Sequence, residues 1–216
     1  MKKNTFVIAV LSSTLALPAF AAGNGFFVGG SLGLVKNPNW VDAANQYMVT
    51  NGASSSETKQ NATSLSIGVR GGYWLNDNFG VEGGLVGISE AKGTITTTGA
   101  FAGTTTYSYT TGALYAAALG GLPLGSGKLF GKAGVYHAST KLTGTTTISG
   151  MSISSPTASN TGLLLGVGYA FRIMNHLSIR PEFTLYNGVK FNNLDTTKSD
   201  ETKNLYQLSV GADYLF

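Results

Sequence analysis

From Asn204 to Phe216 the chain alternates. Leu208, Val210, Ala212, Tyr214 and Phe216 are apolar, and Gln207, Ser209, Gly211 and Asp213 stand between them. A period of two describes a strand with one apolar and one polar face. The segment stops on an aromatic residue, where a soluble sheet has little reason to stop. A closed β-barrel in lipid supplies the reason: its last strand must pair with its first so that no open edge meets hydrocarbon. That requirement makes an all-β, eight-stranded antiparallel transmembrane up-and-down barrel the expected fold.

The other end of the chain agrees. Lys2 and Lys3 precede an apolar run from Phe6 to Leu17, which Pro18 breaks. Ala19 and Ala21 place small residues where a signal peptidase reads them, so residues 1–21 are expected to be a secretory signal peptide cut after Ala21. The mature chain, residues 22–216, is then expected to be one barrel domain.

Charged residues make up 11% of the chain, against the ~25% of ordinary soluble domains. Mean hydropathy is only +0.12, and no mature segment offers the ~20 apolar residues of a membrane helix. The nearest, 113–124, contains Gly120, Gly121 and Pro123. Weak hydropathy with strong alternation is the sequence character of a membrane barrel. Without Lys2 and Lys3, the 14 basic residues fall to twelve, against 10 acidic ones. No basic patch remains, so nucleic acid is not an expected partner. Cysteine is absent and histidine occurs twice, which excludes disulfides and leaves no metal or cofactor site to expect.

Eight strand-like segments can be marked: 25–35, 64–74, 79–90, 106–119, 128–141, 161–173, 177–186 and 205–216. Three connections are short (75–78, 120–127 and 174–176) and four are long (36–63, 91–105, 142–160 and 187–204). Short turns at one end and long loops at the other are expected to be periplasmic and extracellular, with both termini in the periplasm. Leu163, Leu165, Val167, Tyr169 and Phe171 share one face, as do Phe26, Val28, Leu32 and Leu34, and Leu177, Ile179, Phe183 and Leu185. Lipid takes these faces. Pro181 falls among them and costs one ladder bond. Tyr73, Trp74, Phe79, Phe171, Tyr214 and Phe216 near one end, and Tyr107, Tyr109, Tyr136, Tyr186 and Phe191 near the other, read as two interfacial aromatic girdles.

Gly25-Phe-Phe-Val-Gly-Gly30, Gly71-Gly-Tyr73, Val81-Glu-Gly-Gly84, Arg180-Pro-Glu-Phe183 and the terminal Phe216 together resemble the small OmpA-like and opacity-type outer-membrane barrels. The resemblance covers the whole mature chain. It implies the outer membrane of a Gram-negative bacterium, a surrounding of outer-membrane lipid and lipopolysaccharide, and insertion by the barrel-assembly machinery, which reads Tyr214 and Phe216 as an assembly signal. It also implies lumen charges at Glu82, Lys132, Arg180 and Glu182. The peptidoglycan-binding domain of longer members is not expected.

Parity puts Arg70, Glu82, Lys132, Arg172, Arg180, Glu182 and Asp213 inside. All fall within a few residues of the turn end of their strands. At ~3.3 Å per residue and a ~45° tilt they share one layer in the lower half of the lumen. Four positive and three negative charges there should interlock, Glu82 pairing with Arg180 or Lys132, because a poorly hydrated charge needs a partner. Static filling of a narrow lumen is the favoured role and a gate the alternative. His137 and Ser139 share an outward face and are similar to the catalytic pair of outer-membrane lipid A deacylases. No carboxylate follows to orient the histidine, so catalysis is not the expectation. The long loops are rich in Ser, Thr, Gly and Asn, as in 94–98, 104–107 and 143–147. Loops 91–105 and 142–160 are expected to prolong hairpins above the membrane. A structural or surface-interaction role, with host-surface ligands as candidate partners, is therefore expected ahead of a small gated pore or a lipid A hydrolase.

Overall fold

The structure is a computed structural model that describes residues 25–39, 53–99, 102–148, 157–191 and 201–216. The expected signal peptide, with Ala19 and Ala21, lies outside the described residues. Nine strands follow in order: β1 (Gly25–Lys36), β2 (Ala53–Gln60), β3 (Thr63–Trp74), β4 (Phe79–Gly99), β5 (Gly103–Leu124), β6 (Gly127–Thr146), β7 (Thr157–Met174), β8 (Leu177–Phe191) and β9 (Glu201–Leu215). Neighbours pair antiparallel in the order β2-β4-β3-β1-β9-β8-β7-β6-β5, and a β4–β5 pairing closes the sheet. β2 prolongs β3 along the same edge of β4, so the ring itself has eight strands.

The register fixes the dimensions. A row of paired residues that leaves β5 at Gly112 passes Gly87, Ile67, Leu32 and Val210. It continues to Pro181, crosses in register to Tyr169 without a pairing there, and returns through Leu129 to β5 at Leu122, ten residues along. Eight strands with that stagger tilt by about 40° and enclose a cylinder of about 8 Å radius to the backbone. Side chains fill such a bore.

Alternation decides what fills it. Leu32 is 68% exposed and Thr184 is 1% exposed, the reverse of a soluble barrel. Ser66, Gln207 and Ser209 are buried inward, and Ile67, Leu163 and Leu208 stand exposed outward. These exposed apolar residues form an outward band, as expected for a barrel in lipid. Beside Pro181 the β7–β8 ladder passes from Gly168↔Glu182 to Phe171↔Ile179 with no pairing between.

Inward rings sit opposite glycines. Phe27 pairs with Gly72, Tyr115 with Gly84, Tyr107 with Gly93, Phe130 with Gly168 and Tyr136 with Gly162. Each ring lies over the backbone of its partner. A β-carbon at Gly84 would sit 2.8 Å from the Tyr115 ring, and at the other four glycines closer still. The glycine provides the space and the ring covers the bared backbone.

Several strands outrun their sequence expectation. β4 and β5 continue as a hairpin through most of loop 91–105, as expected for it. In loop 142–160 the first residues, from Leu142 to Thr146, pair with β5, and the residues that would face them from the return strand lie outside the described residues. Loop 36–63 contains β2, whose Ser/Thr-rich segment has no apolar alternation and forms a strand only because β4 offers an edge. The turn placed at 120–127 shrinks to Gly125-Ser126, with Gly125 at φ 60° in the first central position of a two-residue hairpin.

Candidate functional site

The lumen is stacked in layers. In the lower half, Arg70 (β3), Glu82 (β4), Lys132 (β6), Arg180 and Glu182 (β8) and Asp213 (β9) converge. Arg180 places Nη1 2.6 Å from Glu82 Oε2 and Nη2 2.8 Å from Glu182 Oε2. Arg70 Nε donates to Asp213 Oδ1 at 2.7 Å. Lys132 contacts Glu182 and stands 3.5 Å from Glu82. Longer approaches, 4.0 Å from Arg70 to Glu182 and 3.7 Å from Arg180 to Asp213, tie the pairs into one network. Three cations meet three anions, and none of the six side chains is more than 5% exposed. Glu82 therefore faces both Arg180 and Lys132, not one of them.

Arg172 is not among them. Its parity is inward, but the row of pairs descends by about 3 Å per strand around a tilted barrel. That stagger leaves Arg172 roughly 6 Å or more below the network. It is exposed at the mouth, paired in register with Ser178.

Two neutral groups complete the layer. Tyr115 OH donates to Glu82 Oε1 at 2.8 Å and Thr184 Oγ1 to Glu182 Oε1 at 2.7 Å. Both lie on inward parity beside the carboxylates, so the pattern that exposed the charges could have exposed them too.

Apolar layers lie on either side. Below, Phe27, Trp74, Leu119 and Phe130 cluster, with the Arg180 guanidinium 4.0 Å from the Phe130 ring. Above, Tyr136 meets Tyr186 edge-on at 5.5 Å, and Tyr186 OH donates to Gln207. Higher still, Tyr109 packs edge-on against Tyr107 and Phe191 over Ile95 and Leu142. This corrects the upper girdle: Tyr107, Tyr109, Tyr136, Tyr186 and Phe191 are all buried inside. Trp74 likewise leaves the lower girdle for the lumen, while Phe79, Phe171, Tyr214 and Phe216 do face outward. Proximity to a strand end suggested a girdle, but inward parity governs.

His137 and Ser139 lie outward near the loop end. His137 Nδ1 is 3.1 Å from Thr161 Oγ1, and Ser139 Oγ accepts from Ser159 at 3.1 Å. Each is occupied across the sheet, and neither of those partners is a carboxylate. At the turn end Tyr214 packs edge-on to Phe216 at 5.0 Å and stacks under His176, and Phe216 N donates to Phe26 O at 2.9 Å.

The geometry can be set beside known proteins. Neisserial surface protein A superposes with a TM-score of 0.54 at 12% identity, over 89% of this chain and 97% of that one. The outer membrane protein OprG from Pseudomonas aeruginosa superposes with a TM-score of 0.53 at 14% identity, over 90% and 97%. At these identities the likeness is one of fold. No curated protein sequence matches the chain. Residues 7–216 match the family profile described as the outer membrane protein beta-barrel domain. An antiparallel ring that is apolar outside, charged within and uneven in its loops resides in the outer membrane of a Gram-negative cell. The chain belongs to the outer membrane protein β-barrel domain family.

Proposed function

We propose that this protein is a sealed outer-membrane platform that presents a Ser/Thr-rich β-sheet to the cell exterior as an adhesion or recognition surface. One observation carries the reading: β4 and β5 stay paired as far as Thr97↔Gly103, far above the apolar band. Their outward residues there, Thr94, Thr96, Thr104, Thr106 and Ser108, are polar. From Lys92 to Gly99 the strand rises on the order of 20 Å at ~3.3 Å per residue. β2 and β6 flank the pair. The turn end faces the periplasm and the loop end the exterior. The glycolipid leaflet surrounds the barrel, host-surface ligands meet the sheet, and the assembly machinery reads Tyr214 and Phe216.

A gated pore is the second reading, and the coupled charge layer favours it. The aromatic layers above and below argue for a closed bore. Hydrolysis at His137 and Ser139 is disfavoured because His137 bonds the Thr161 hydroxyl and Ser139 bonds Ser159, and among the described residues no carboxylate bonds His137 to orient it.

The test trims the overshoot. Residues 93–107 are replaced by a two-residue turn, leaving a barrel that still changes gel mobility on boiling. Loss of host-surface binding by cells carrying the trimmed form, with no conductance from the wild type in planar bilayers, is the expected result. Unchanged binding removes the display reading. An epitope tag within 54–60 should be labelled on intact cells and one within 76–78 should not.

A further inference from the structure

Below the charge layer the lumen opens to the periplasm through a cavity of about 280 Å³. Trp74, Asp77, Lys128 and Arg172 form its wall, and Arg180 and Asp213 close its inner end. Among the described residues, none of Asp77, Lys128 and Arg172 makes an ion pair or a side-chain hydrogen bond. The network above is neutral by itself, so the mouth keeps one uncompensated positive charge.

The wall is built, not incidental. Lys128 is half-buried and holds Nζ 3.9 Å over the Trp74 ring. Gly121 makes that pose possible: a β-carbon there would stand 2.8 Å from Lys128 Cδ and 3.1 Å from Trp74. At the inner end Arg180 is 2% exposed, and its guanidinium stays with Glu82 and Glu182. Lys128 brings three donors and Arg172 five. Asp77 is the carboxylate of the wall, and Asp213 at the inner end is held by Arg70. Excess donors and a surplus cation call for an acceptor-rich anion, and a guanidinium fork beside a point-like ammonium suits a tetrahedral oxyanion.

We propose that this cavity is a periplasm-facing phosphate site, clamped by Arg172 and Lys128 beside the Trp74 ring. The phosphate has two sources: a lipid headgroup at the edge of the inner leaflet, or a phosphorylated solute. The site is independent of the display function at the opposite end.

The chain has two tryptophans, so Trp40→Phe leaves Trp74 as sole reporter. This protein, folded in phosphate-free maltoside micelles, is titrated with inorganic phosphate. A saturable change in Trp74 fluorescence, and 31P line broadening, are expected, with none from chloride at matched ionic strength. Arg172→Ala should weaken binding at least tenfold, and Arg172→Ala with Lys128→Ala should abolish it, both variants keeping the gel shift on boiling. Phosphatidylglycerol added to the micelles separates the sources: competition with phosphate assigns the lipid headgroup, and binding without competition assigns a solute. No saturable response from either ligand, or variants that bind like the wild type, overturns the site.

Discussion

β4 passes through two environments and its side chains change places between them. Within the membrane Val81 and Leu85 face out and Glu82 faces in. Above it Lys92 and Thr96 face out, while Ala91 and Ile95 face in. The exchange is made by a bulge between Ile88 and Ala91 that inserts one residue and reverses the parity. β8 does the same between Tyr186 and Val189, where Gly188 adopts φ 73°. Both bulges fall at the upper edge of the apolar band. The comparison teaches that the solvent chooses the face. In lipid the apolar residues turn outward and the lumen holds charge. In water the sheet buries an apolar core, as a soluble protein does.

The largest effect should come from breaking the lower half. Glu82→Ala leaves Arg180 and Lys132 with one anion fewer, and removing one side of a buried pair costs about 3–5 kcal/mol. Urea unfolding in micelles measures it. Adding Lys132→Ala should recover part of the loss, and purely additive effects would dissolve the network into independent contacts. The upper half should fail differently. Ile95→Ala removes a buried side chain for about 2–3 kcal/mol, but the damage should stay local. Proteinase K on intact cells should cleave within the overshoot while the remaining barrel still resists boiling-free denaturation on a gel. The smallest test is of the exchange itself. Leu85→Lys, near mid-height between Phe79 and the bulge, should cost about 2 kcal/mol, as a lipid-facing lysine does near the midplane. Thr96→Lys, outward but in water, should cost under about 0.5 kcal/mol. Equal costs would mean that the bulge does not mark the membrane boundary.

The same exchange explains what sequence could reveal. Leu208, Val210 and Gln207, Ser209 keep strict alternation because lipid and lumen demand opposite chemistry. β9, the lower part of β4 and the inward charges were therefore legible. A search for period two ends at Glu90 and at Tyr186 because the bulges reverse parity there, although the backbone continues. In the overshoot Thr96, Thr97 and Thr98 supply the same residue to both faces, so no contrast remains to read. β2 has none either, and exists through its pairing with β4. Arg172 shows a further limit. Parity is local to a strand, but depth depends on the stagger of the whole ring, which no single segment encodes. Tyr107 and Tyr109 were legible in principle, for they share odd parity with Thr105, Thr111 and Ala113.

The five ring-over-glycine couples have a consequence for descent. A glycine beneath Tyr115 or Phe27 cannot acquire even a methyl group while the ring is in place, and a ring that shrinks leaves bare backbone behind it. Neither partner can drift alone. Each couple should therefore be inherited as a unit, a change in one of these aromatic residues accompanied by a change, on another strand, in the glycine that faces it.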